Sequence, residues 1–494
     1  MSNATAETVY EHLMAGARQI DDGTSLHDII DRVVESGPHD EPIHVLEVDS
    51  VVQRYTEWVR HMPRVKQYYA IKSNDADAIV ETVVLLGGGF DCASQSELER
   101  VLGLGVPPER IIYAQPSKSV ASLKLARQRC IRTVFDNEFE LDKIAEHYPE
   151  AELLLRFRYD SANSKINLGT KFGCDANEEA HQLLDRARDL GMKVVGWCFN
   201  VGSMSYDAEV FYGAIRTGRS ISDYAASIGF QFRVLDIGGG FVGDKDDNIG
   251  RYADHINRAL EEFYPDCSSL EVFAEPGRYL CAGAVTNVAV VQGKRYFRSG
   301  NTITGVGYYL NDGIYGTFYS TKYRGLESKA VVWKSPKDCG PERDTKLFGP
   351  TCDGNDWFMA GIRLPELAIG DTLVFETEGA YSSVNACRFN GFKLPKVIPY
   401  VRGGIVELLR KIKSLKGDAQ LIEQALLSNE LIKCNGAPGE RTIWAVALAM
   451  RYFLTMPFDG ITVRSRMIRD KICSLCSVGM HGPSRGEFFA VVAL

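Results

Sequence analysis

No apolar run in this chain is long enough to cross a bilayer. The longest, near Ile443 to Leu454, is short for a span and contains Arg451, so a buried helix is expected there. Residues Met1 to Leu26 are polar and mixed in charge, without the apolar stretch of a secretory signal. Basic excess is missing too. Lys and Arg number 56 against 64 Asp and Glu, a net charge of -8, which argues against a nucleic-acid partner. The 12 cysteines form no framework. The one close pair, Cys473 and Cys476, has no second pair to complete a zinc site, so no metal is expected. Unpaired thiols suit a reducing compartment, and a cytoplasmic location is expected. There is no internal repeat and no low-complexity block.

What is present is an ordinary globular composition, 45% hydrophobic and 24% charged over 494 residues. Roughly two or three domains are expected at that length. Residues 1–42 read as a helical, then loop-like lead-in. From Ile43 to about 281, short apolar runs alternate with amphipathic segments. Strands are expected at 44–49, 67–72, 87–94, 111–116, 132–137, 152–159, 193–202, 232–241 and 270–279, with helices between most of them. Sustained alternation of this kind implies an α/β architecture with a parallel sheet, and its length suits a closed (β/α)8 TIM-like barrel. Chemistry in such barrels sits at the C-terminal strand ends. Lys72, Asp91, Arg156, Asn200, Gly238, Gly239, Gly240, Glu275 and Arg278 all fall there. Residues 282–400 turn β-rich and read, together with N-terminal residues, as an antiparallel domain. Residues 401–494 form a C-terminal extension. It opens on a basic amphipathic helix, Val406 to Leu415, and reads beyond about 416 as a poorly packed appendage.

Lys72 ends the apolar run Tyr68-Tyr69-Ala70-Ile71. A lysine that loses water at a strand mouth has a lowered pKa and becomes a nucleophile toward aldehydes. The triple glycine after Leu235-Asp236-Ile237 frees backbone amides to form an anion nest, or makes a plain turn. Glu275-Pro276-Gly277-Arg278 sets a carboxylate and a guanidinium at the next strand end. Arg278 can grip a phosphate in two places, and Glu275 can face a protonated pyridine nitrogen. The alternative is a salt bridge within a turn. Cys352 and Asp353 share a loop suited to acid–base work or to contact with a substrate amine, though a lone cysteine is as readily a packing residue.

The motifs YAIKSN, FDCASQSELERVLGLGVPPERIIYAQPSK, KFG, VGS, LDIGGGF, AEPGRY, YYLNDGIYGTF, GPTCDG, EGAY and FNGF follow in order over roughly residues 40 to 400. Together they resemble the eukaryotic ornithine decarboxylase family of fold-type III, pyridoxal-phosphate-dependent amino-acid decarboxylases. The resemblance implies pyridoxal 5'-phosphate as cofactor and a small amino acid as substrate. It implies that Lys72 holds the cofactor's aldehyde and Glu275 pairs with its pyridine nitrogen. It places the phosphate among Ser203, Gly238 to Gly240, Gly277, Arg278 and Tyr381, with Asp91 and Arg156 nearby. It makes Cys352 the proton donor to the carbon left after carbon dioxide departs. It also implies a head-to-tail homodimer, in which the Cys352–Asp353 loop serves the neighbouring subunit, and an antizyme-like regulator.

Two positions depart from the family pattern. Where the family has histidine in Phe-His-Val-Gly-Ser, this chain has Asn200, which cannot stack on the cofactor ring or titrate near neutrality. Where the family has Tyr-Asp, with the aspartate on the distal substrate amine, this chain has Tyr323-Arg324. A guanidinium there repels an ammonium, so a substrate with a distal carboxylate or a neutral end is expected, clamped by Arg324. Relatives in loline-type alkaloid pathways act on amino acids with an extra carboxylate, so amine biosynthesis of the polyamine or alkaloid type is implied. Two other readings stand beside this one. Arg324 pairs with Asp353 and closes the pocket, or the chain resembles the antizyme inhibitors, which share the fold without activity. An ordinary ornithine decarboxylase is the remaining alternative. The retained Lys72, Glu275, Arg278, Cys352 and Asp353 favour an enzyme.

Overall fold

The computed structural model describes residues 5–429, apart from 38, 162, 245–247, 266–269, 334–339 and 416. The expected helix near 443–454 and the Cys473–Cys476 pair lie outside the described residues.

Eight parallel strands close a barrel: Lys66–Ala70, Gly89–Cys92, Ile111–Tyr113, Arg132–Phe135, Glu152–Arg158, Lys193–Asn200, Val234–Asp236 and Glu271–Ala274. Helices cross between most of them. Three successive helices begin under side-chain caps: Ser94 accepts from the Glu97 amide, Ser119 from that of Ser122 and Asn137 from that of Glu140. The barrel interior is filled by Tyr68, Ile112, Val134, Leu154, Val195, Cys198, Val234 and Phe273, all buried. Tyr68 and Phe273 stack at 4.1 Å where the first and last strands meet. Beside them the second strand carries Gly89, because a Cβ there would stand 2.7 Å from the Tyr68 ring. The barrel is therefore a packed plug, and any site must sit at its rim.

The expected first barrel strand, 44–49, belongs elsewhere. Ile43–Glu47 lies inside the second sheet, between Lys396–Arg402 and Val285–Ser299. It is buried on both faces, so its apolar run resembles a parallel barrel strand. The helix Val48–His61 follows it and leads into the barrel at Lys66. The second sheet is mixed. Its ladders Val285–Ser299 with Thr302–Leu310 and Glu342–Phe348 with Trp357–Pro365 are antiparallel. Parallel pairs occur where long connections allow them: Thr302–Leu310 with Glu342–Phe348, and Lys396–Arg402 with both Ile43–Glu47 and Arg18–Ile20. The lead-in is thus built into the sheet, with helices Ala6–Gly16 and Leu26–Glu35 on either side of Arg18–Ile20. Helices Gly403–Ser414 and Ala419–Leu427 bury Ile405, Leu409, Ile412, Ile422 and Leu426 in the main core. Residues 419–427 are therefore packed, in place of the loose appendage expected from about 416.

The two sheets meet around the barrel rim. The chain leaves Glu271–Ala274, makes the short helix Arg278–Cys281, and enters Val285–Ser299. From the other side, Thr372–Phe375 delivers Gly379 and Tyr381 to the turn after Lys66–Ala70. Asn74 Nδ2 donates to the Gly379 carbonyl at 2.7 Å, and the Tyr381 amide donates to the Ser73 carbonyl at 2.8 Å.

Candidate active site

Lys72 lies in the 3-10 turn Ile71–Ser73 that ends the first barrel strand. Its Nζ pairs with Asp91 Oδ2 from the end of the next strand; the Lys72 side chain is 42% exposed and that of Asp91 1%. Sequence reasoning expects a lowered pKa here. Burial does work against the charge, but Asp91, then Glu275 and Tyr381, outweigh it and raise the pKa above the ordinary lysine value. Without cofactor, Lys72 is therefore an ammonium held by Asp91. The reason is convergence. Three barrel strands whose residues are far apart in sequence bring Asp91, Asp236 and Glu275 to one rim.

Glu275 is pushed up to about 7, by burial first and by Asp91 second, with Lys72 and Arg156 opposing. Arg156 lies on the strand Glu152–Arg158, with its guanidinium 5.2 Å from the Phe172 ring of the KFG turn. Asn200 ends the strand Lys193–Asn200, and its Oδ1 accepts the Gly202 amide at 2.8 Å. The side chain that replaces the expected aromatic is thus tied to its own turn.

The anion cradle has two walls. One is the glycine triplet. Gly238 has φ +65°, and a Cβ there would lie 2.0 Å from the Phe199 carbonyl oxygen. No side chain fits, so the backbone approaches the site bare. The Ser205 amide donates to the Gly240 carbonyl at 2.9 Å, which ties Ser203–Ser205 to this wall. The other wall is Gly277, Arg278 and Tyr381. The Arg278 guanidinium stands 5.2 Å from the Tyr381 ring. Arg278 is 7% exposed. Its Nε and Nη2 are buried without a hydrogen-bond partner, as is Asp91 Oδ1. A buried guanidinium with open donors beside a bare glycine turn asks for an anionic ligand, and the site fits pyridoxal phosphate. Arg278, Tyr381 and the glycine amides would hold its phosphate, and Lys72 its aldehyde.

The short helix Tyr319–Arg324 lies over this wall, where Ser320 Oγ donates to the Tyr381 carbonyl at 3.1 Å. Tyr323 is exposed, with its ring 5.0 Å from that of Tyr319. Arg324 is half-buried, with its guanidinium 5.5 Å from the Tyr381 ring and 5.7 Å from that of Tyr319. It does not pair with Asp353. That carboxylate accepts Tyr315 OH at 2.7 Å and the Asn355 amide at 2.9 Å, bonds that hold its pKa below the usual range. Cys352 is exposed, and its amide donates to Asn390 Oδ1 at 2.9 Å.

Three residues that sequence reasoning passed over organise the site. Asp236 lies against Glu275. Tyr315 holds Asp353. Asp356 is buried and accepts the Ile314 amide at 2.9 Å, the Thr351 amide at 3.1 Å and Thr351 Oγ1 at 2.7 Å, which fixes the Cys352–Asp353 loop. For Asp236 and Asp356 the available signal was an acid inside or beside an apolar strand, a placement that needs a partner.

Residues 48–282 match the family model described as pyridoxal-dependent decarboxylase, pyridoxal binding domain. The chain is 37% identical to rat (Rattus norvegicus) ornithine decarboxylase over 410 residues, covering 80% of this chain and 89% of that protein. It is 35% identical to antizyme inhibitor 2 of Xenopus laevis over 399 residues, covering 78% and 87% respectively. Among solved structures, the arginine decarboxylase of Paramecium bursaria Chlorella virus bound to agmatine superposes with a TM-score of 0.71 at 32% identity, covering 76% of this chain and all (100%) of that one.

Proposed function

Because the chain belongs to the ornithine decarboxylase family of pyridoxal-dependent decarboxylases, we propose that it decarboxylates an amino acid whose far end is anionic or neutral, with Arg324 as the residue that reads it. The observation that carries this is the placement of Arg324. Its guanidinium stands one tyrosine ring from the phosphate wall, against Tyr319 and Tyr381. A substrate ammonium brought to about 5 Å from it would be repelled by about 3 kcal/mol at an effective dielectric near 20.

Pyridoxal phosphate, when bound, supplies the electron sink for breaking the bond between Cα and the carboxylate. The chain supplies the rest. Asp91 holds Lys72 Nζ at the rim as an ammonium until the cofactor's aldehyde arrives. Glu275 stands for the ring nitrogen, and Arg278 and Tyr381 hold the phosphate. The Cys352 thiol delivers the proton to the product carbon. The exposed Cys352 thiol and the loop held by Asn390, Tyr315 and Asn355 are consistent with the head-to-tail homodimer of shared sites that the family resemblance implies. The unpaired thiols of the described cysteines support a cytoplasmic location. The reaction places the chain in amine biosynthesis of the polyamine or alkaloid type. Likeness to antizyme inhibitor 2 supports an antizyme-like regulatory partner. The intact Lys72–Asp91 pair and the open donors of Arg278 favour catalysis over a binding role alone.

The test is carbon dioxide release by wild type and Arg324→Asp from ornithine, lysine, arginine and amino acids with acidic or neutral side chains. Wild type should prefer the acidic or neutral substrates. Arg324→Asp should gain about 100-fold or more in kcat/KM for ornithine, the equivalent of about 3 kcal/mol. Robust ornithine turnover by wild type would make the chain an ordinary ornithine decarboxylase and end the Arg324 argument.

A further inference from the structure

Asp236 has no part in the chemistry above, yet it is among the most deeply placed acids in the fold. It ends the strand Val234–Asp236 and is 1% exposed. Its strand neighbours are Cys198 on one side and Phe273 on the other, neither of them a cation. Its Oδ1 accepts the Gly238 amide at 2.8 Å. In return, the Gly238 carbonyl accepts the Glu275 amide at 2.7 Å. That reciprocal pair of bonds brings the ends of two strands together and sets the carboxyl of Asp236 against that of Glu275, each the other's electrostatic neighbour.

Two ionised carboxylates held against each other away from water repel, and one proton shared between them removes the repulsion. The charged groups around the pair decide whether that proton is held. Asp91, from Gly89–Cys92, adds a further negative charge against both acids. Lys72, after Lys66–Ala70, and Arg156, from Glu152–Arg158, attract Glu275 electrostatically. Cys198, from Lys193–Asn200, is itself held as the neutral thiol by burial and then by Asp236. Among the described residues, the group that bonds Asp236 and favours its charge is the Gly238 amide. Burial and the neighbouring carboxyl together raise its pKa.

We propose that Asp236 is a positioning residue that keeps one proton on the Asp236–Glu275 pair, so that Glu275 meets the cofactor's ring nitrogen in one fixed orientation and with a single negative charge shared across the pair. The consequence concerns the electron sink directly. An unprotonated pair would separate, and the Glu275 carboxylate would be free to turn toward Lys72 or Arg156. A shared proton bridges it to the barrel wall. The inference rests on the reading that pyridoxal phosphate binds here, but half of its test does not use the cofactor.

Asp236→Asn imitates the protonated acid. Its amide N–H donates to Glu275 while its carbonyl accepts from Gly238. In cofactor-free protein, acids whose folded pKa is raised bind protons more tightly than in the unfolded chain. Their contribution to stability is complete at low pH and lost as pH rises through the folded values. Unfolding midpoints from pH 4 to 9 should therefore fall less steeply with pH for Asp236→Asn than for wild type. Glu275→Gln, which removes the other acid, should flatten the curve in the same way. The double variant should add little. In cofactor-loaded protein, the pH dependence of the cofactor's absorption bands should flatten in Asp236→Asn. Asp236→Ala, which leaves Glu275 without its bridge, should weaken cofactor binding by about tenfold, the equivalent of one pKa unit. Asp236→Asn should restore binding to near the wild-type value. Parallel pH curves for wild type and Asp236→Asn, with or without cofactor, would overturn the shared proton. Cofactor that fails to bind wild type at all would instead refute the family reading of the site and leave the cofactor-free curves to decide the pair.

Discussion

Replacing Arg278 with methionine should make the empty protein more stable and the loaded protein less so. Arg278 is 7% exposed, and its Nε and Nη2 have no hydrogen-bond partner. Each buried donor left open costs about 1–3 kcal/mol, so the two together cost about 2–6 kcal/mol. The stacking of the guanidinium on Tyr381 at 5.2 Å returns about 0.5–2 kcal/mol of this. Methionine keeps most of the buried apolar volume and removes the open donors. The cofactor-free variant should therefore gain about 1–3 kcal/mol. The loaded protein loses two charge-assisted bonds to phosphate at about 1.5–3 kcal/mol each, so cofactor affinity should fall by about 100-fold or more. Buried Glu378, pushed up to about 7 by its burial against the opposing pull of Ser328 and then Arg278, is best kept neutral, so the measurement belongs at pH 6. Denaturant unfolding with and without pyridoxal phosphate reads both halves at once. If Arg278→Met destabilises the cofactor-free protein and leaves affinity within about twofold, the open donors are not the phosphate grip.

Two further outcomes follow from the same contacts. Asp356→Ala removes the acceptor of three bonds that fix the Cys352–Asp353 loop. A misplacement near 1 Å costs about 100-fold in rate, so kcat should fall by about that factor while cofactor affinity, measured by titration, is unchanged. Asp91→Asn should free Lys72. A lysine whose folded pKa is raised contributes stability that is complete below its unfolded value of about 10.4 and is lost as pH rises through the folded value. Removing the Asp91 charge lowers that folded value. Cofactor-free Asp91→Asn should therefore react with a small aldehyde about tenfold faster at pH 8 than wild type. Equal rates would show that Asp91 does not hold the Lys72 proton.

Much of the barrel was legible because its helices and strands carry different periods and its polar residues gather at one end of each strand. What was not legible depended on long-range pairing. Ile43–Glu47 has the apolar run of a barrel strand, yet pairs with Lys396–Arg402 and Val285–Ser299. No local pattern says which of two parallel-capable sheets a doubly buried strand will join. The helix Tyr319–Arg324 is a single short turn closed by Gly325 at φ +62°, too brief to show a period, and it is what turns Arg324 toward Tyr381. Within the site, residue types at strand ends suggested Lys72, Glu275 and Arg278, but not the charge state of Lys72. That state comes from Asp91 and Glu275, which only barrel closure brings near it. Asp236 was hidden inside its own apolar strand, where a single acid looks like an interruption rather than a partner for Glu275.

The central claim is that this chain carries pyridoxal phosphate on Lys72 for decarboxylation. Borohydride reduction of the cofactor-loaded protein, followed by peptide mass mapping, tests it most directly. The account predicts one pyridoxyl adduct per chain, on the peptide that contains Lys72, and its loss in Lys72→Ala. An adduct on another lysine, or none from protein that shows no cofactor absorption, would contradict it.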